Sequence, residues 1–244
     1  MTQALADFLG YWESEGATYA RRGDYDWMAA QIPAKVGRVL EIGCGLGFGT
    51  RALVGRGLSI LALDILPPCL AAARERLGTQ ADQVCFLEAD LADLSGEAAR
   101  AIADFRPEAV LCWLMGAPQE TSATTVTATD AREQEAAVAA YRERMQRHAA
   151  QLAASLPEVG YAHFVDRSAI PWQAKDLGRD MLMRHHLAGS LADLPFTVER
   201  PDTQYRKLET PEHARRELTR LRRSLPALNS VTPVLASLLA RRAT

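Results

Sequence analysis

The stretch that decides the fold is Val39-Leu40-Glu41-Ile42-Gly43-Cys44-Gly45-Leu46-Gly47-Phe48-Gly49-Thr50. An apolar run ends in an acid, and glycines then occupy alternating positions. Glycine lacks a Cβ and accepts positive φ, so such a loop can turn tightly and approach a ligand closely. A helix expected from about Thr50 to Val54 directs its positive end at that ligand. The stretch therefore predicts a strand, a ligand-binding loop and a helix; a glycine-rich turn without a ligand is the alternative.

The spacing of these glycines differs from the dinucleotide fingerprint Gly-x-Gly-x-x-Gly. Counted from Gly43, the third glycine falls on Phe48, and counted from Gly45 it falls on Thr50. The pattern Glu-x-Gly-x-Gly-x-Gly instead resembles motif I of the class I S-adenosylmethionine-dependent methyltransferases, and the resemblance extends over roughly residues 36–164. It implies a Rossmann-like fold, S-adenosyl-L-methionine as the cofactor and methyl transfer as the activity, with Gly43, Gly45 and Gly47 in the cofactor loop.

Composition narrows the class of protein. The chain has 244 residues and a formal net charge of −2; this length suits one α/β domain with additions, and this charge argues against a protein-wide nucleic-acid surface. No apolar run approaches the length that crosses a bilayer, and the N-terminus lacks the pattern of a signal peptide. We therefore expect a cytoplasmic protein without a membrane partner. The four scattered cysteines show no Cys-x-x-Cys spacing, so no metal site is expected.

Apolar runs recur along the chain with helical stretches between them, and they lie at 37–42, 58–63, 83–87, 109–115 and 160–165. They lack strict alternation, as expected for strands covered by helices on both faces. Two later runs, 196–200 and 204–208, are expected to form a closing antiparallel pair. The fold class is therefore α/β, with a doubly wound, mostly parallel seven-stranded sheet. Such a sheet binds its ligand at the carboxyl ends of the strands.

Three regions are predicted around this sheet. Residues 1–35 form an N-terminal helical cover, 36–210 form the class I methyltransferase domain, and 211–244 form a C-terminal helical extension. Residues 118–157 interrupt the strand–helix rhythm with a polar loop and a helix. This insertion is read either as a helix packed on the sheet or as part of a lid over the substrate.

Acids end two of the predicted strands. Asp64 ends the second strand, where a carboxylate can accept hydrogen bonds from both ribose hydroxyls, with Ile65 against the adenine; a helix N-cap is the alternative role. Asp90 ends the third strand, and the resemblance implies that it and the amide of Leu91 bind the adenine edge. Starting a turn is the alternative role for Asp90. Glu41 is expected near the methionine ammonium group.

The N-terminal segment is rich in aromatic residues. Members of the family that this sequence resembles often place a helical segment over the cofactor pocket. We expect Tyr11 and Tyr19 to contact the cofactor there. The alternative is an amphipathic helix that buries its rings against the core.

Catalytic residues are less clearly indicated. The segment after the fourth strand, Trp113–Gly116, contains no acid, and it lacks the Asp/Asn-Pro-Pro-aromatic motif of DNA amino-methyltransferases. A hydroxyl acceptor often needs a general base, for which His185, His186 and Asp166 are the weak candidates. Alignment of the acceptor with the methyl group is the alternative to base catalysis.

Three functions compete. The favoured one is methyl transfer to an oxygen or nitrogen of a small molecule. The basic residues between 206 and 242 motivate the second, methylation of a peptide, protein or RNA bound through a basic C-terminal helix. The third is a non-catalytic S-adenosylmethionine-binding module that regulates a partner. The leucine-rich stretch 231–239 is a candidate contact in a homodimer.

Overall fold

The computed structural model describes residues 2–116, 131–208 and 231–243. The helices of these ranges are α1 (Gln3–Arg21), α2 (Asp24–Ala30), α3 (Phe48–Gly55), α4 (Pro67–Leu77), α5 (Gly96–Phe105), α6 (Ala131–Ser155) and α7 (Lys175–Ala188). The strands are β1 (Arg38–Ile42), β2 (Ser59–Asp64), β3 (Val84–Glu88), β4 (Ala109–Trp113), β5 (Tyr161–Ile170), β6 (Phe196–Thr197), β7 (Thr203–Lys207) and β8 (Thr232–Arg242). Short 3₁₀ turns lie at Gly78–Gln83, Trp172–Ala174 and Arg200–Asp202.

All the described strands belong to one mixed sheet in the order β3-β2-β1-β4-β5-β8. The first five strands are parallel, and β8 runs antiparallel to β5. The short strands β6 and β7 pair with opposite ends of β8 and so share the last of seven positions. The predicted doubly wound, mostly parallel seven-stranded class is confirmed.

Helices cover both faces of this sheet because alternate side chains of a strand point to opposite faces. Val39 packs into one core cluster together with residues of α2, α3 and α4, whereas its neighbour Leu40 packs into a second cluster with residues of α5 and α6. β4 is buried along its whole length. A parallel strand buried on both faces reads as a continuous apolar run, which is why the sequence located these strands.

The strand order places the glycine loop at the point where the sheet topology reverses. β1 pairs with β2 on one side and with β4 on the other, with Ile42 opposite Leu63 and Cys112. The connections leaving β1 and β4 therefore diverge to opposite faces of the sheet. In open α/β sheets the crevice beyond the carboxyl ends at such a point binds ligands.

The end of the chain corrects one prediction. Residues 232–242 are strand β8, not part of a helical extension. All of 234–240 are buried, because β8 lies inside the sheet between β5 and the short strands. A short, continuous apolar run is expected both for an internal strand and for a buried helix. The hydrophobic pattern of the sequence therefore does not distinguish the two kinds of element. The candidate dimer contact at 231–239 is wrong for the same reason, since Leu235 and Leu238 are fully buried.

Two later strands pair differently from the prediction, whereas the inserted helix packs on the sheet, which was one of the two alternatives expected for it. The strands near 196–200 and 204–208 exist as β6 and β7, but each pairs with β8 and not with the other. The inserted helix is α6, and its second half packs on the sheet through Ala149 and Ala153, both fully buried. The preceding loop and residues 211–230 lie outside the described residues. The boundaries at 35 and 210 stay predictions.

Among the helices of the described ranges, none combines the length and the apolar character that a bilayer span requires.

Candidate active site

A cleft opens at the carboxyl edge of β1, β2, β3 and β4. Its walls are the glycine loop, the segments that follow β2 and β3, and the end of β4 with the residues after it. Helix residues also line it, among them Phe8 and Trp12 of α1, Tyr25 of α2, and Tyr141, Arg144 and Met145 of α6. The parallel part of the sheet thus builds the cleft, and α1 and α6 enclose it.

The three predicted loop glycines have positive φ, with +68° at Gly43, +53° at Gly45 and +80° at Gly47. They differ in what surrounds them. A Cβ at Gly45 meets nothing within 4 Å, whereas a Cβ at Gly47 lies 2.7 Å from the Cα of Ala73. Gly45 lines the cleft and leaves its space open, while Gly47, outside the lining, lets α4 pack against the loop.

Asp64 connects the end of β2 to the glycine loop. Its carboxylate accepts hydrogen bonds from the backbone N–H of Gly45 at 2.8 Å and of Leu66 at 2.9 Å. Burial raises the pKa of Asp64, although its hydrogen bonds from the backbone of Leu66, Gly45 and Ile65 oppose the shift. Asp64 therefore orders the glycine loop and also lines the cleft. The N–H of Gly45 donates its hydrogen bond to Asp64 within the protein itself.

The other adenosyl candidates lie on the same side of the cleft. Ile65 is 42% exposed although it is a large apolar residue, and it lines the cleft. Asp90 and Leu91 line it too. The Asp90 carboxylate accepts a hydrogen bond from the N–H of Ala92 at 2.8 Å, so this residue shapes a turn and borders the cleft at once.

Glu41 is a buried carboxyl at the base of the cleft. It accepts a hydrogen bond of 2.7 Å from the Thr50 hydroxyl. Burial raises the pKa of Glu41 to about 8, the hydrogen bond from Thr50 lowers it, and the charge of Asp64 raises it. The group is therefore largely protonated in the folded chain at neutral pH, and a cation beside it favours its ionised form.

Because the pKa of Glu41 rises on folding, the folded state binds more protons than the unfolded state between its ordinary pKa of 4.5 and about 8. Stability must fall as the pH rises through this window. We expect the Glu41→Gln variant, which cannot ionise, to lose less stability than the wild type between these pH values. Denaturant unfolding at a series of pH values measures this. Thr50→Val, which removes the hydrogen bond that lowers the pKa of Glu41, should extend the loss to higher pH values. Parallel wild-type and Glu41→Gln profiles would contradict the expectation.

The aromatic cover differs from the prediction. Tyr11 is 45% exposed and its hydroxyl accepts a hydrogen bond from Arg167, and Tyr19 is buried against Tyr25. Neither lines the cleft, so the structure does not support a cofactor contact for them; Phe8, Trp12 and Tyr25 line it instead. Phe8 and Trp12 are four residues apart and share one helix face. That spacing was the signal in the sequence that could have identified them.

The three candidate bases also lie away from the cleft lining. His185 faces Glu143 at 3.8 Å on an exposed surface, and His186 is buried, bonded to Ser190 and stacked on Phe164. Both histidines belong to α7, which packs on β7 near the opposite edge of the sheet.

Asp166 forms an ion pair of 3.8 Å with Arg142 and accepts a hydrogen bond from the N–H of Arg167. No histidine occurs among the described residues that line the cleft. A base from the three candidates is therefore not supported by the structure.

Comparisons with known proteins agree with this geometry. Residues 39–114 match the family model of a methyltransferase domain. No curated protein matches the sequence. A candidate methyltransferase from Bacillus halodurans C-125 is 16% identical with a TM-score of 0.54, over 91% of this chain and 100% of that chain. A candidate sarcosine dimethylglycine methyltransferase from Galdieria sulphuraria is 12% identical with a TM-score of 0.52, over 90% of this chain and 85% of that chain.

At these identities the two structures show similarity of fold, and the family match covers the part of the chain that builds the glycine loop and the ends of β2, β3 and β4. The fold predicted from the glycine motif is confirmed. Residues 39–114 of this chain therefore match a methyltransferase domain, and the chain has the fold of the two solved structures.

Proposed function

We propose that this chain transfers the methyl group of S-adenosylmethionine to an oxygen or nitrogen atom of a small-molecule acceptor. The observation that carries the proposal is the cover over the cleft: Phe8 and Trp12 approach it from α1, and Tyr141 and Met145 approach it from α6. A site enclosed on both sides suits a ligand that is surrounded by protein, as small-molecule sites are. An extended polymer is better accommodated by an open groove.

The cofactor would lie along the ends of the strands. In this proposal the Asp64 carboxylate accepts hydrogen bonds from the ribose hydroxyls, and the exposed apolar surface of Ile65 covers the adenine. Asp90 and the amide of Leu91 bind the adenine edge, and Glu41 lies near the methionine ammonium group. Supporting this order, all five residues border the same cleft. Ile65 also presents apolar surface that a ligand would remove from water.

The far end of the cleft would receive the acceptor. Trp12, Met115 and Met145 give it apolar walls, and Gly116 provides room for the Trp12 indole, since a Cβ at Gly116 would lie 2.8 Å from that ring. S-adenosylmethionine supplies an already activated methyl group. The contribution of the chain is then to align the acceptor and to exclude water, which suits an acceptor atom that is nucleophilic without help from a base.

The described basic residues of the tail give little support to a peptide or RNA acceptor. Arg206 pairs with Asp24 at 2.6 Å, and Arg241 pairs with Asp202 at 2.5 Å. Arg242 donates hydrogen bonds to carbonyl groups at the end of α6. These side chains connect elements of the fold, and the arginines between 211 and 230 lie outside the described residues.

Methyl-labelled S-adenosylmethionine tests the proposal. The purified chain is incubated with pools of small amines, phenols and carboxylates and, separately, with a peptide pool and with RNA, and S-adenosylhomocysteine serves as the competing control. We expect label in a small-molecule pool, suppressed by the competitor. Label confined to peptide or RNA would establish the alternative acceptor class. Tight cofactor binding without transfer to any pool would favour a regulatory module.

A further inference from the structure

Three side chains from neighbouring strands form a hydrogen-bonded series that ends at the cleft. The indole N–H of Trp113, at the end of β4, donates to Nδ1 of His163 on β5 at 3.0 Å. Nε2 of His163 lies 2.7 Å from the hydroxyl oxygen of Ser237 on β8. Trp113 lines the cleft, whereas His163 and Ser237 lie behind it in the sheet.

The donor chemistry determines the tautomer of the histidine. An indole N–H can only donate, so Nδ1 of His163 must present its lone pair. The ring proton of the neutral imidazole is then on Nε2 and is donated to the Ser237 oxygen. Both ring nitrogens are thereby engaged. His163 is fully buried, and burial lowers its pKa to about 3, so the neutral tautomer persists across the ordinary pH range.

The indole occupies a defined place in the cleft. A Cβ at Gly49 would lie 3.4 Å from Cε3 of Trp113 and 2.7 Å from the Glu41 carboxylate. The absence of a side chain at Gly49 therefore leaves room at the start of α3 for both the Trp113 indole and the Glu41 carboxylate. In the proposed function this is the methionine end of the cofactor, opposite the adenosyl side bordered by Asp64 and Asp90.

We propose that His163 is a positioning residue, which holds the Trp113 indole in place beside the methionine end of the cofactor through the Nδ1 hydrogen bond. The inference rests on the proposed function. Apolar contacts have no preferred direction, so packing alone leaves more than one orientation open to a buried indole ring. The hydrogen bond from the Trp113 N–H to Nδ1 of His163 selects one of these orientations. His163 itself does not line the cleft and exchanges no proton with the reacting atoms.

Two carboxamide variants separate the two hydrogen bonds of His163. In His163→Asn the amide oxygen can take the place of Nδ1 and still accept from Trp113. In His163→Gln the amide nitrogen can take the place of Nε2 and still donate to Ser237, but Trp113 loses its acceptor. We expect His163→Gln to raise the Kd of S-adenosylhomocysteine about tenfold, which is the change expected from about one buried hydrogen bond. His163→Asn should remain within about threefold of the wild type, which corresponds to less than 1 kcal/mol.

A second ligand distinguishes positioning from general loss of structure. 5′-Methylthioadenosine keeps the adenosyl group but lacks the amino-acid end of the cofactor. Its Kd should therefore be the same in the wild type and in His163→Gln. Equal weakening of both ligands would indicate a structural role and overturn the inference, and so would an unchanged Kd for S-adenosylhomocysteine in His163→Gln.

The wild-type protein provides a measurement that does not depend on a variant folding. In ¹⁵N NMR spectra, the Trp113 indole signal should shift on addition of S-adenosylhomocysteine and stay in place on addition of 5′-methylthioadenosine. Equal responses to the two ligands would overturn the inference while leaving the proposed function intact. A wild-type chain that bound neither ligand would instead refute the proposed function, and the positioning role would fall with it.

Discussion

Replacing Asp64 with alanine should raise the Kd of S-adenosylmethionine about a hundredfold, a loss of about 2.7 kcal/mol. Hydrogen bonds to a charged group contribute about 1.5–3 kcal/mol each, and in the proposed complex this carboxylate accepts from the ribose hydroxyls. The same change removes the acceptor of the Gly45 and Leu66 N–H groups, so the loop also loses its connection to β2. Isothermal titration calorimetry measures the affinity.

Glu88 supplies the matched control for this variant. It lies opposite Asp64 in the register between β2 and β3, and it is exposed. Glu88→Ala removes a carboxyl from the neighbouring strand without touching the loop, and it should leave the Kd unchanged. Asp64→Ala with wild-type affinity would show that the ribose assignment is wrong, whatever the stability of the variant.

Gly47→Ala should lower the free energy of unfolding by about 3 kcal/mol, through overpacking and backbone strain. The added methyl group would lie 2.7 Å from the Cα and 2.8 Å from the Cβ of Ala73. These atoms belong to the body of α4 and cannot move as the end of a flexible side chain can. The φ of +80° adds strain for any residue with a Cβ. Denaturant unfolding monitored by circular dichroism measures the change.

Gly45→Ala is the matched variant in the same loop. Its φ of +53° is also left-handed, but a Cβ there meets nothing within 4 Å. Only the cost of the left-handed conformation remains, about 1–2 kcal/mol, while the methyl group projects into open space beside the cleft. We expect Gly45→Ala to remain folded and to bind S-adenosylmethionine more weakly. If the two alanine variants lost equal stability, the distinction between the roles of the two glycines would be incorrect.

The parallel core and its cleft were predictable from sequence because their signals are local. Strands buried on both faces appear as apolar runs, and positive φ leaves glycines at fixed spacing. The carboxyl ends of parallel strands meet at one edge of a sheet, so Asp64 and Asp90 were expected near the glycine loop before any contact was known. The structure places both in the cleft lining.

The failures came from elements whose partners are distant in sequence. The apolar residues of β8 are equally consistent with a buried helix, and only pairing with β5, some 70 residues earlier in the chain, makes them a strand. Tyr11 and Trp12 are adjacent in α1, yet one bonds Arg167 and the other enters the cleft. Composition does not reveal which face of a covering helix turns inward; its docking against other elements decides that.

The sequence by itself determined the sheet class, the glycine loop and the acids at the strand ends, because each depends on backbone geometry over a few neighbouring residues. Only the tertiary structure decided that the N–H of Gly45 is engaged by Asp64, that Trp12 covers the cleft, and that His163 bonds Trp113. The reason is physical: a hydrogen bond or a covering ring depends on where separate elements pack, and that depends on the whole core at once.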